Sequence, residues 1–344
     1  MNFKKITTII LTLVLLSLTL VGCGGKQDPS GEGDELSLKF AHTNSVESNS
    51  HRMAVKFAET VETLSEGKIT IQVLPQYSGE RDLIESAQRG DIDFTYTSAA
   101  PLVSFVPEMA VFDVPFLFSS KEDIFATIKN AFTVFDNEDV IASTLGKMDK
   151  SNIKGFGYWS KGFRVLATGK PIETLADLEG LKLRTMENSN HIAAWKALGA
   201  NPAPLAFNEV YTSLEQGTIE AQEQPFDVLS SNKFYEVQTH ATSINMIADV
   251  CVFMGSLDLY SGLTDEQRAI IDEAAATAIA FAREDSLAAV NKDIETLENG
   301  GMTVSDFTTE ERAEAIKLAK PVETQIRSEI GDEIVDLFYS VQEK

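Results

Sequence analysis

Between residues 36 and 97 the chain switches repeatedly between a two-residue and a 3.6-residue hydrophobic period, and that switching restricts the fold more than any other feature. Leu36–Ala41 reads as a strand, and residues 49–64 place Met53, Phe57, Ala58, Val61 and Leu64 on one helical face. A strand over 68–74, a helix over 80–89 and a strand over 92–97 follow. The cadence restarts after Ile153, with strands at 155–159, 181–185 and 219–222 and helices at 191–198 and 207–217. Residues 248–258 form a further apolar strand. Strands separated by helices predict an α/β fold with parallel sheets and a ligand at the carboxyl ends of the strands.

The late sequence adds a bridge. Thr264-Asp265-Glu266-Gln267 has the form of a capping box, and helical spacing from Ile270 through Leu297 carries it to Glu298. A single helix of that length extends about 50 Å, enough to span two lobes. The other reading is two ordinary helices broken near Glu284-Asp285-Ser286.

The first 34 residues speak to location. Lys4 and Lys5 precede an uncharged apolar run from Ile6 to Val21, too short for a comfortable membrane span. Leu20-Val21-Gly22-Cys23 then has the form of a bacterial lipobox, with Cys23 the residue to be acylated. This predicts a signal peptide over 1–22 and a lipid-anchored tether over 23–34, rich in Gly, Ser, Asp and Lys. After cleavage the only cysteines are Cys23 and Cys251, so with Cys23 acylated no disulfide holds the body and a large apolar core must.

Charge excludes some functions. The formal net charge is -23, and losing Lys4 and Lys5 with the signal takes it to -25. Such a body repels nucleic acid and anionic membrane surfaces, leaving the lipid as its membrane contact. Four histidines without metal-ligand spacing offer no metal site, and no cofactor motif or Gly-rich phosphate loop is present. The chain has only nine arginines. Arg164, in Gly-Phe-Arg, and Arg184, in Gly-Leu-Lys-Leu-Arg, each close a short apolar segment and read as a clamp for an anion. The guanidinium fork matches a carboxylate's two oxygens. The alternative is two surface cations paired with nearby acids.

Several motifs, in order, then resemble one family. They include Phe57-Ala58-Glu59, Gly90-Asp91-Ile92-Asp93-Phe94, Val111-Phe112-Asp113-Val114-Pro115-Phe116, Gly162-Phe163-Arg164, Gly180-Leu181-Lys182-Leu183-Arg184, Ala197-Leu198-Gly199-Ala200, Phe207-Asn208-Glu209-Val210-Tyr211 and Lys233-Phe234-Tyr235-Glu236-Val237. From Leu38 to about Lys320 the chain resembles the DctP-type solute-binding proteins of TRAP (tripartite ATP-independent periplasmic) transporters. The resemblance implies two α/β lobes about a central cleft, with crossing hinge strands and a long bridging helix. It implies an N-terminal lobe from 35–160 and 250–288, and a C-terminal lobe from 161–249 and 289–344. It implies capture of a small organic acid and delivery to TRAP membrane subunits, without catalysis or cofactor.

By the same resemblance, Arg184 makes the main salt bridge to a ligand carboxylate, Arg164 assists and Phe207 lines the pocket. Gln224 stands where the family usually places an asparagine. The extra methylene is a departure bearing on ligand size or pose. The other lobe is expected to contribute His42, Thr43, Asn44 and Ser98 from strand ends. Sialate-binding members typically carry a carboxylate at the place of Ser98 and a base at that of Pro101, so sialate is not expected. A lipid-anchored hydrolase on an α/β scaffold is the competing reading, although the chain has no Gly-X-Ser-X-Gly elbow. A ligand-sensing binding protein would use the same pocket.

Overall fold

A computed structural model describes residues 35–118 and 124–342. The expected signal peptide, the tether and Cys23 lie outside the described residues. Two sheets organise the chain. The first holds, in spatial order, β2 (Ile69–Leu74), β1 (Leu36–Ala41), β3 (Phe94–Ser98), β10 (Ala248–Ser256) and β4 (Ile153–Phe163). The second runs β11 (Thr303–Asp306), β9 (His240–Ser243), β5 (Val165–Thr168), β8 (Ala221–Gln224), β6 (Lys182–Thr185) and β7 (Asn201–Pro204).

The expectation of wholly parallel sheets is corrected. β1 pairs parallel with β2 and β3, but β10 runs antiparallel to both β3 and β4. In the second sheet β6 is parallel to β7 and β8, whereas β5 is antiparallel to β8 and β9. The reason is connectivity. β4 runs nearly directly into β5, and β9 into β10, so the chain crosses between sheets through strands instead of returning through helices.

The helices, in chain order, are α1 (Asn49–Leu64), α2 (Glu80–Arg89), α3 (Ala99–Leu102), α4 (Ile124–Phe135), α5 (Glu138–Ser143) and α6 (Ser189–Ala197). There follow α7 (Val210–Glu215), α8 (Phe226–Ser231), α9 (Leu257–Gly262), α10 (Asp265–Asn299), α11 (Thr309–Ile330) and α12 (Asp332–Gln342). The expected helix over 207–217 is shorter, a 3-10 turn at Phe207–Glu209 followed by α7. Alternation along β1 and β3 and the apolar face of α1 meet in one core, where Phe57 lies 4.8 Å from the Phe253 ring and 5.0 Å from Phe94. All three are buried, and truncating such a ring costs about 3–5 kcal/mol.

α10 is one unbroken helix. Thr264 and Gln267 form the reciprocal cap, and at 1.5 Å per residue its 35 residues extend about 50 Å. Its first half buries Ile271, Ala274, Ala275 and Ala278 against the first sheet's core, and alanines there let the helix approach closely. Its second half packs Val290, Ile294 and Leu297 into the core of the second sheet. Between them Asp285 accepts from Arg52 at 2.6 Å and from Asn49 Nδ2 at 2.8 Å. The helix therefore belongs to both lobes.

The crossing strands have their own local chemistry. Gly162 takes φ 98°, in the left-handed region that a side chain disfavours, just where the chain leaves the first sheet. The return is irregular too, with a register shift between Ala248 and Val250 opposite β4. Both features gather Lys161, Arg164 and Asp249 at the junction of the sheets.

Candidate functional site

Strand ends build the site. β5 register sets Val165 opposite Gln224 and Leu166 opposite Glu223, so Arg164, just before β5, reaches the end of β8. β6 lies beside β8 with Arg184 opposite Gln222, which brings the second arginine to the same end of the sheet. From the first sheet, β3 sets Ser98 opposite Cys251, two residues beyond Asp249.

Arg164 is fully engaged within the protein. Its Nε donates to Glu223, its Nη1 to Asp249, and its Nη2 to the Glu223 carbonyl at 2.7 Å and to Gln224 Oε1 at 3.1 Å. Lys161 Nζ reaches the other Asp249 oxygen at 3.2 Å. His191 approaches Glu223 Oε1 at 3.6 Å through Nδ1 and bonds Asp113 Oδ1 at 3.1 Å through Nε2. Asp113 Oδ2 accepts in addition from Asn188 and Asn190, at 2.8 and 3.0 Å. Lys161, Asp249, Arg164, Glu223, His191 and Asp113 thus form one continuous buried chain of alternating charge.

The protonation of this chain follows from its contacts. Burial opposes charge at Lys161, Arg164, His191, Glu223 and Asp249, and the neighbours outweigh it. Asp249 keeps Lys161 charged, and Glu223 with Asp249 raises Arg164. For His191, hydrogen bonds to Asp113 and Glu223 overcome burial and hold it up at about 9. Glu223 and Asp249 are pulled below the usual carboxylate range, the former chiefly by Arg164 and the latter chiefly by Lys161. Three cations face three anions, and the chain is neutral.

Arg184 stands outside it. Its Nε and Nη2 both donate to the Leu205 carbonyl, at 2.9 and 2.6 Å. Its Nη1 is buried without a hydrogen-bond partner, and among the described residues no carboxylate lies within ion-pair distance. Burial and then the neighbouring Arg164 charge lower Arg184 to about 10, still a cation at neutral pH. One edge of a buried guanidinium is thereby held by a carbonyl while the other lacks a partner.

The remaining expected residues fall into three places. Ser98 Oγ bonds Asp249 Oδ1 at 3.4 Å, and its N–H donates to Glu80 Oε1 at 2.7 Å. Thr43 and Phe207 share a cavity of about 230 Å³, where Thr43 Oγ1 donates to the Ser78 carbonyl. Phe207 follows two residues after Leu205, the residue whose carbonyl holds Arg184. Asn44 donates to the Tyr96 hydroxyl. His42 is buried with Nε2 3.0 Å from His51 Nδ1, and burial lowers it to about 3, so it is neutral. The larger cavity, about 450 Å³, lies elsewhere, between β4, α10 and the 145–149 turn. It contains none of the expected residues.

The sequence patterns had not singled out Lys161, Glu223, Asp249, Asp113 or His191. The signal was there for Asp113 and Asp249, each an acid inside an apolar run (Val-Phe-Asp-Val and Ala-Asp-Val-Cys-Val), because a carboxylate is rarely buried without a partner. Gln224 also differs in detail from expectation. Arg164 takes its carbonyl oxygen, so its amide nitrogen is what it can offer elsewhere.

Contacts across the two sheets close the cleft. Ser45 Oγ donates to the Ser231 carbonyl at 3.1 Å, Asn49 N–H to Asp227 Oδ1 at 2.9 Å, and Asn188 Nδ2 to the Ala100 carbonyl at 2.8 Å. Two α/β lobes meeting over a half-free buried arginine define a solute-binding protein of the two-lobed extracytoplasmic class. The chain belongs to the DctP family, bacterial extracellular solute-binding protein family 7, whose model matches residues 40–329. It is 34% identical over 305 residues to a solute-binding protein of Verminephrobacter eiseniae, covering 87% of this chain and 88% of that one.

Solved structures agree. The sugar acid binding protein DctPAm of Advenella mimigardefordensis, in complex with galactonate, superposes with a TM-score of 0.85 at 31% identity, covering 90% of this chain and 98% of that one. A TRAP periplasmic solute-binding protein of Bordetella bronchispeptica, with density interpreted as pantoate, gives 0.82 at 30% identity over 89% and 98%. Members of this class bind substrates and are not enzymes. No helix among the described residues is long and apolar enough to cross a membrane.

Proposed function

We infer that this protein captures a small organic acid outside the cytoplasm and delivers it to the membrane subunits of a TRAP transporter. The observation that carries this reading is Arg184, a buried guanidinium with an unpartnered Nη1 and no carboxylate at ion-pair distance. A ligand carboxylate there neutralises a buried cation that has no carboxylate partner among the described residues. Gln224 offers its amide nitrogen beside it, and Thr43 and Phe207 face the ligand from opposite lobes. Arg164 acts at one remove, fixing Glu223 and Gln224 and leaving Arg184 as the binding cation. Ser98 orients Asp249 in the same way. The similarity to proteins with galactonate and with density interpreted as pantoate supports an acid of that size.

The lobes in this reading comprise 35–160 with 250–288, and 161–249 with 289–344, turning about residues 159–162 and 249–252. Cys23 carries the lipid that keeps the protein at the outer face of the membrane. A thermal-shift screen of the purified protein against dicarboxylates, aldonates, uronates and 2-oxo acids tests the reading. At least one acid should raise the melting temperature in wild type and not in Arg184→Met, and should be recovered chemically unchanged. Conversion of that acid on incubation would overturn it in favour of an enzyme.

A further inference from the structure

We propose that the cleft selects a singly charged acid, with its one carboxylate on Arg184 and an uncharged, hydroxylated remainder against the 43–78 and 207–234 wall, and that it rejects dicarboxylates. This rests on the acid-capture reading above and adds the number of charges the site accepts.

The buried cations of the site differ in what each already holds. Lys161, Arg164 and His191 are matched by Asp249, Glu223 and Asp113 at ion-pair distance, so that chain has no positive charge to give. Arg184 alone is unmatched among the buried cations of the site. One carboxylate neutralises it. A second carboxylate on the same small ligand would have to find a cation elsewhere in the cleft.

The cavity lined by Phe207, two residues along the chain from the Leu205 carbonyl that Arg184 holds, contains none. Besides Thr43 it is lined by Gln76, Ser78, Asn208 and Asn232, with three aromatic rings. These are neutral donors and acceptors suited to hydroxyl groups, and the rings suit the C–H faces between them. Lys233 lies in sequence between two lining residues but is exposed and is not part of the wall. The nearby charges are of the wrong sign for an anion. Ser78 Oγ already donates to Asp82 at 2.7 Å, and Glu80, which accepts from the Ser98 N–H, places a negative charge close enough to act on both arginines. A desolvated second carboxylate here would be unpaired and next to acids, which costs far more than a hydroxyl satisfied by amides.

The test is calorimetric titration of the mature protein with matched four-carbon probes, erythronate and threonate against succinate and malate, together with a six-carbon aldonate and the neutral polyol erythritol. An aldonate should bind at least on the order of a hundredfold more tightly than either dicarboxylate, and erythritol should not bind. A dicarboxylate binding as tightly as the best aldonate overturns the selection rule and leaves acid capture standing. Binding of erythritol alone, unaffected by Arg184→Met, overturns acid capture itself. Asn208→Arg, which puts a cation on the wall, should raise dicarboxylate affinity at least about tenfold while aldonate binding persists. No gain in a variant that still binds aldonate would mean that the wall does not meet the ligand's far end.

Discussion

Replacing Arg184 by methionine should affect the empty and the liganded protein in different ways, and the structure sets the sizes. Burial and Arg164 lower this guanidinium from its ordinary range to about 10, a shift equivalent to about 3 kcal/mol of penalty on the charged form. Methionine removes that penalty and fills much of the same space with a flexible apolar chain. Against this, two hydrogen bonds to the Leu205 carbonyl are lost, and a carbonyl left unsatisfied costs about 1–3 kcal/mol. The two effects nearly cancel, so the stability of the ligand-free protein should change by less than about 2 kcal/mol. With an acid at about 100 times its dissociation constant, wild type should gain about 2.7 kcal/mol and the variant nothing. Scanning calorimetry with and without the acid measures both quantities. Loss of more than about 4 kcal/mol without ligand would show that Arg184 is a structural cation with a partner. Persistence of the ligand-dependent shift would show that it is not the clamp.

Arg164→Ala should behave in the opposite way, costing about 3–5 kcal/mol without ligand because Glu223 and Asp249, both buried, lose the cation they share; near-neutral unfolding data would refute the chain described above. His191 has a folded pKa of about 9 against an ordinary 6.5, so its contribution of up to about 3 kcal/mol is complete below pH 6.5 and is lost as pH rises through 9. His191→Gln should flatten the pH dependence of stability between those values, and an unchanged slope would place the titration elsewhere. Cys23→Ala should abolish lipid attachment while the purified body keeps its ligand affinity; mass spectrometry of wild type finding no lipid on Cys23 refutes the anchor. Small-angle scattering should show a smaller radius of gyration when acid is added, and an identical profile at saturation argues for a rigid cleft.

Much of the fold could be read from local patterns, and what could not was non-local. β1, α1 and α2 end where the hydrophobic periods predict, because those signals sit within a few residues of each boundary. The capping box at Thr264 and the unbroken apolar spacing beyond it made α10 legible as one helix. The antiparallel placement of β10 and β5 was not, since strand direction depends on which distant strand is met. The site divides along the same line. Arg184 lies in β6, the strand its motif marked, and its Nη1 has no partner. Arg164 looked equivalent in sequence, yet two acids 59 and 85 residues away absorb its charge. Nothing near Arg164 in sequence announces Glu223 or Asp249.

The alternating-charge chain also bears on how such a protein could change its ligand over evolutionary time. Each of its six members is neighbour to a buried opposite charge, so a single replacement strands a partner and endangers folding before any new specificity appears. Asn208 and Asn232 have no such obligation to a buried charge. Descendants with new diets should therefore differ first along the neutral wall while inheriting the chain intact, and a laboratory search for altered uptake would do best to randomise the wall alone.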